Sequence, residues 1–370
     1  MSERRPRWFG LLAGALLGAL AAGASAGEAC RIAFDMGSSG IRAGQAGQAA
    51  VPQADIDYLG PLTAGRGLAE TLPPTVAALR DLPARGGFAG DCARLGGGFS
   101  AWRLAANENR GRLADDLRAV REASGVAVLV IPQRQEGAYG YLGARQLLGE
   151  RLATSHILDI GGGSLQVAGE RASFGALFGQ KLWHRELCLK LRNSTQLPCA
   201  LAPLSPDELA TARAFLRQRL AEGGIAQALP EPVAMTAISR PVTRGVGPAV
   251  ARFFNRPAGI DHLSLPMLRA TIELNAGYGR DEMAARLGSE PRFAAYLLSD
   301  LLLVEGLMEA TGGAELRIAE LDLTNLPGLL ADEQAYRWVA KHDCYLGRLR
   351  RQGVSAYHSD PASCPARAPR

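Results

Sequence analysis

Histidine is scarce in this chain. Its 370 residues include five, at His156, His184, His262, His342 and His358, with no ligand-like spacing. No Cys-x-x-Cys pair occurs either, so the sequence offers no zinc-type site. Aromatic residues make up 6%, and no basic run carries interleaved aromatics, which removes the footprint of a nucleic-acid binder. Charge is nearly balanced, with 41 basic against 36 acidic residues. Residues 1–26 hold Glu3 against Arg4, Arg5 and Arg7, so the remainder carries 38 against 35, too even a balance to imply a strongly charged partner. Beyond residue 26 no stretch reaches 18 uninterrupted apolar residues, so no membrane span is expected there.

What is present begins at the N-terminus. "MSERRPR" is a basic lead-in, "WFGLLAGALLGALAAG" a short apolar run, and "ASA" at 24–26 a small-residue cleavage site. This pattern predicts an export signal over 1–26, a periplasmic or secreted mature chain, and no stable membrane insertion after cleavage. All six cysteines follow that site: Cys30, Cys92, Cys188, Cys199, Cys344 and Cys364. An even count in an oxidising compartment suggests up to three disulfides, though six cysteines allow 15 pairings. Cys188 with Cys199 and Cys344 with Cys364 would close local loops, leaving Cys30 with Cys92. Reduced, buried thiols are the alternative.

Short β-branched runs at 30–34, 126–131 and 156–160 read as strands. Leu113, Leu117 and Val120 space a helix between two of them. Strand, helix and strand in that order predict an α/β fold with parallel pairing. A helix over 204–224 is bounded by Ser205 as N-cap, Pro206, Glu208 and Gly223. The most apolar helix, 292–313, is interrupted by Asp300, Glu305 and Glu309, as a buried core helix would be. The length suits two domains, expected at 27–150 and 151–330. A C-terminal helix and a loose tail are expected over 331–370.

One device occurs twice. "FDMGSSGIRAG" (34–44) and "LDIGGGSLQVA" (158–168) match position by position, each following an apolar strand, with Asp35 and Asp159 as counterparts. Glycine turns let backbone amides approach an anion. Gly37, Ser38 and Ser39 in one turn, and Gly161, Gly162, Gly163 and Ser164 in the other, are therefore candidate phosphate holders. Asp35 and Asp159 at the strand ends offer hard oxygen ligands suited to Mg²⁺ or another divalent cation. Two such turns across a cleft make a phosphate clamp. Taken singly, each turn also reads as a glycine hairpin with an Asp bonding its own backbone.

The ordered pieces "FDMGSSGIR", "FSAWRLAAN" (99–107), "VIPQRQEGAYGYLGA" (130–144) and "LDIGGGSLQV" resemble the exopolyphosphatase/guanosine pentaphosphate phosphohydrolase (Ppx/GppA) family of the actin-like ATPase superfamily. The resemblance is clear over roughly 30–170. It implies two actin-like (ribonuclease H-like) domains with a cleft between them. It also implies hydrolysis of a terminal phosphoanhydride, with polyphosphate the simplest exported substrate, and a homodimer. It makes Glu136 the base that activates water, Arg103 a substrate-facing arginine, and Asp35 and Asp159 the metal-side carboxylates. Position 166 is Gln where the family pattern has Glu, which puts Gln166 on the metal side as a neutral group. Ser39 replaces an Asn, and a Gly-Gly-Thr expected within 231–247 is missing. A non-catalytic binding module of the same fold is the competing reading.

Overall fold

The computed structural model describes residues 30–319, 321 and 325–365. The export signal expected over 1–26 lies outside the described residues. Strands β1 (Arg31–Met36), β2 (Gly40–Gln45), β3 (Gln53–Asp55), β4 (Ala93–Gly98) and β5 (Ala127–Val130) form one sheet. Its order is β3-β2-β1-β4-β5. Strands β6 (His156–Ile160), β7 (Leu165–Gly169), β8 (Ser173–Ala176), β9 (Met235–Ala237), β10 (His262–Ser264) and β11 (Glu315–Ile318) form the other. That sheet runs β10-β11-β9-β6-β7-β8. Started from β8, the second sheet repeats the first. An antiparallel three-strand meander leads to two parallel strands, β9 and β11, and β10 is added antiparallel at the far edge. The expected α/β architecture of two ribonuclease H-like sheets is present.

The sequence explains the central strands. All of β5 is buried, as are five of the six residues of β1. Strands covered on both faces read as continuous apolar runs. The helix Arg110–Ser124 is capped by the Asn109 side chain, which accepts from the Arg112 amide at 3.0 Å, and it ends at left-handed Gly125. Ser205 and Glu208 form the expected capping box of the helix Pro206–Glu222. The helix Leu297–Ala310 is buried nearly all round. Glu305 takes two bonds from Arg213, at 2.8 and 2.9 Å, while Asp300 accepts from Gln180 at 2.5 Å on one oxygen only, and burial pushes its pKa well above the usual carboxylate range. No helix among the described residues is long and apolar enough to cross a membrane.

Two helices change sides. The helix Gln133–Leu148 follows β5 but packs on β6, β7 and β8 of the second sheet. The helix Leu326–Ala331 follows β11 but packs on β1 and β2 of the first. They cross in close contact, and a Cβ at Gly328 would lie 2.5 Å from Tyr139. Packing therefore changes hands before both expected boundaries, 150/151 and 330/331.

Over 331–370 one helix and a loose tail were expected, and the described part of the segment is more ordered than that. Through Pro365 the segment holds the helices Glu333–Val339 and His342–Gln352 and two 3₁₀ turns, with Trp338, Tyr345, Leu346 and Leu349 buried against the first sheet. The reason is the open edge of β5, whose amides and carbonyls need partners. The Tyr345 hydroxyl accepts from the Val130 amide at 2.8 Å, and His342 Nε2 lies 2.9 Å from the Val128 carbonyl. Burial pushes the His342 pKa down to about 4, which keeps the ring neutral, so Nε2–H donates to that carbonyl. Disulfides join Cys30–Cys92, Cys188–Cys199 and Cys344–Cys364, and the last ties the tail's end to its second helix. Tyr345→Phe leaves the buried Val130 amide without its acceptor. Chemical unfolding should read a loss of about 1–3 kcal/mol; an unchanged midpoint and slope would show that the edge is held by other means.

Candidate active site

The duplicated turns are equivalent residue by residue. The first hairpin closes its ladder at Met36 opposite Ile41, the second at Ile160 opposite Leu165, so each encloses a four-residue loop. Asp35 stands opposite Arg42, and Asp159 opposite Gln166. The Gly37 and Gly161 amides close their own loops onto the Gly40 and Ser164 carbonyls, at 3.0 and 2.8 Å. The amides of Ser38, Ser39, Gly162 and Gly163 donate to no described residue, and free amides in such turns suit an anion.

The loops face each other. A Cβ built on Gly162 would lie 2.8 Å from Ser38 Oγ. Between them opens a cavity of about 240 Å³ lined by Asp35, Gly37, Ser38, Ser39, Glu136, Asp159, Gly161, Gly162 and Ser164. Gly163 stands outside the lining, packed on Ser100 Oγ at 3.0 Å for a built Cβ. Gly162→Ala would force the Ser38 hydroxyl to turn away without straining the backbone. Activity should fall about tenfold while the melting temperature holds, because small misplacements of positioning groups are costly; wild-type rates would show the loops need not meet.

Glu136 sits in the first turn of the helix Gln133–Leu148 and is 8% exposed. Its Oε2 accepts from Arg103 Nη2 at 2.5 Å and from Gln166 Nε2 at 2.8 Å. Oε1 accepts no bond from a described residue. Arg103, expected to face substrate, is 3% exposed and does not line the cavity. Its Nη1 donates to the Ile131 carbonyl at 2.9 Å and its Nη2 to Glu136 and, at 3.1 Å, to Ser164 Oγ, while Nε has no partner among the described residues. A buried carboxylate requires such a counter-ion. Gln166, expected on the metal side, is also behind the lining, and its amide donates to Glu136 and, at 3.2 Å, to Ser164 Oγ. A Glu there would set two carboxylates within hydrogen-bond distance, so the neutral amide holds Glu136 where a charge would repel it.

Asp35 accepts from the Asn325 amide at 3.0 Å, and burial pushes its pKa up to about 6 against the pull of that bond and of Arg42. Asp159 has no hydrogen-bond donor among the described residues. Burial, with the charges of Glu136 and Asp35 beside it, pushes it up to about 7. Arg42 offsets only part of the burial at either carboxylate, which leaves the pair suited to a cation. The groups of three metal-ligating side chains drawn within 4.8 Å among the described residues are built on disulfide sulfurs, which do not ligate. A divalent ion at Asp35 and Asp159 would therefore complete its shell with water and substrate oxygens, the habit of Mg²⁺.

No family model matches the chain, and no curated protein matches it. Solved structures do. A Ppx/GppA family member from Aquifex aeolicus superimposes with a TM-score of 0.59 at 18% identity, over 81% of this chain and 96% of that one. This chain has the Ppx/GppA fold. An exopolyphosphatase from Cytophaga hutchinsonii gives a TM-score of 0.57 at 15% identity, over 81% and 96%. An exopolyphosphatase-like protein gives 0.57 at 17%, over 82% and 96%.

Within this Ppx/GppA fold, further residues line the cavity that the motifs did not single out: Arg42, Gln53, Asp55, Ser100, Arg240 and Asn325. Arg42 had a signal, since it stands opposite Asp35 in the duplicated hairpin. Arg240 follows β9 and Asn325 lies beyond β11, in segments without a motif.

Proposed function

We propose that the protein is an exported phosphoanhydride hydrolase that releases terminal phosphate from polyphosphate. Fold alone does not carry this. The supporting observation is that both turns, both raised aspartates and Glu136 line one cavity. Water attacks the terminal phosphorus as the bridging P–O bond breaks, and the shortened chain leaves with the bonding electrons. Glu136 accepts the water's proton at Oε1, the atom left open by Arg103 and Gln166. The turn amides and the hydroxyls of Ser38 and Ser164 hold the oxygens of the transferred group. A bound Mg²⁺, held by Asp35 and Asp159, would neutralise the charge that develops on those oxygens. Export is supported by the leader-like first 26 residues and the three disulfides.

The test is phosphate release from polyphosphate by residues 27–370, with Mg²⁺ and with chelator. Metal-dependent release supports the reading. No release with any divalent ion defeats it. Polyphosphate binding without release, by calorimetry, would instead support a non-catalytic binding module.

A further inference from the structure

A second cavity, of about 400 Å³, adjoins the one between the turns, and Arg42, Gln53 and Arg240 line both. Arg42 comes from β2 and Gln53 from β3, while Arg240 follows β9 of the other sheet. The Arg42 charge pulls on both Asp35 and Asp159, so one side chain links the two carboxylates to the second cavity.

Past this junction the walls change character. The rest of the lining carries no charge, and five of its members are apolar: Val51, Leu147, Leu326, Pro327 and Leu330. Leu326 is buried against β2, where a Cβ at Gly44 would lie 3.1 Å from it. Pro327 and Leu330 are half-buried. Val51, in the loop between β2 and β3, is 47% exposed, and Leu147, in the last turn of the helix Gln133–Leu148, 52%. Neither belongs to a core cluster. Exposed apolar side chains scattered singly are ordinary, but these two meet over one cavity. The polar lining is partly occupied, since Gln45 Oε1 accepts from the Ala89 amide at 2.8 Å. No aromatic ring is among the lining residues, so a planar base has no aromatic face to stack on. A cavity of this size, apolar with polar groups at one end, has the usual form of a small-molecule site.

We propose that the protein takes a further class of substrate, the diphosphate ester of an apolar alcohol. The terminal phosphate lies between the turns, the ester phosphate at Arg42 and Arg240, and the hydrocarbon chain in the second cavity. The inference rests on the proposed hydrolase reading and extends its substrates. Water attacks the terminal phosphorus as the bridging P–O bond breaks. The alkyl monophosphate leaves with the bonding electrons, Glu136 takes the water's proton, and the ester C–O bond stays intact.

The test uses residues 27–370 with Mg²⁺ on geranyl diphosphate, on methyl diphosphate, which has the same anhydride without the apolar chain, and on tripolyphosphate. Wild type should cleave geranyl diphosphate with a kcat/KM about tenfold above that for methyl diphosphate. In V51S/L147S the KM for geranyl diphosphate should rise about tenfold, with the constants for the other two unchanged, and V51I/L147M should behave as wild type. Equal kcat/KM for the two esters overturns the proposal. So does an unchanged KM in V51S/L147S, an equal change on all three substrates, or cleavage of tripolyphosphate without cleavage of geranyl diphosphate. Should wild type release no phosphate from any of the three, the hydrolase reading fails and binding decides the cavity. Calorimetry should then show geranyl diphosphate bound about tenfold more tightly than methyl diphosphate by wild type and not by V51S/L147S, and equal affinities overturn it. ADP bound more tightly than geranyl diphosphate, and weakened in V51S/L147S, would give the cavity to a nucleoside and also overturns it.

Discussion

Glu136→Gln is expected to lower phosphate release from polyphosphate by about 10²–10⁴-fold, the usual contribution of a positioned general base. The substitution keeps the shape and removes the proton acceptor. It also removes the counter-ion of Arg103, which is buried at 3% exposure beside it. An unpaired buried guanidinium costs about 3–5 kcal/mol, so the variant should melt lower as well. The two effects separate in a second variant. R103M/E136Q removes both charges and should recover most of the stability while remaining inactive. Initial rates and thermal melts on the same samples check this. A Glu136→Gln enzyme within a few-fold of wild type, or activity that returns with stability in the double variant, would remove Glu136 from the chemistry.

The duplicated turn was legible in the sequence because its signal is local. Asp-x-Gly after an apolar strand states both a hairpin and a concave backbone, and the repeat at 34–44 and 158–168 states that there are two. The capping box at Ser205 and the core helix over 297–310 were legible for the same reason. What a helix packs on is not local. The apolar stripe of Gln133–Leu148 is satisfied by either sheet, and the choice is made by chain crossing at Gly328 and Tyr139. Beyond its first, expected helix the tail read as loose because its composition is rich in Arg, Ser and Pro. Its second helix is fixed by what it covers, the β5 edge at Val128 and Val130. In the site, residue type was legible and direction was not. Arg103 and Gln166 were expected to meet ligand, and both turn to Glu136, because a carboxylate buried at the join of two domains draws the nearest donors. Arg240 and Asn325 reach the cavity only through sheet topology, at the ends of β9 and β11, which no motif encodes.

Asp159→Asn is expected to abolish the Mg²⁺ response and to lower phosphate release by about 10²–10³-fold, the scale of several kcal/mol of lost charge stabilisation. The same substitution should make the metal-free protein more stable at pH 8. Asp159 titrates near 7 and Asp35 near 6 in the fold, while both lose their protons near 4 when unfolded. Between those values the native state binds more protons than the unfolded one. Stability of the metal-free wild type therefore falls as pH rises from about 4 to about 7 and then levels. Asp159 contributes up to roughly 4 kcal/mol of that loss. Asparagine cannot ionise and removes its share. A divalent cation does the opposite in wild type, since it binds the ionised form and displaces the protons. The Mg²⁺-induced rise in melting temperature should thus be small at pH 5.5, large at pH 8, and absent at both in Asp159→Asn. Thermal melts at the two pH values, with Mg²⁺ and with chelator, measure all of this without relying on turnover. A wild-type protein whose melting temperature ignores Mg²⁺ at pH 8 would take the metal away from Asp159.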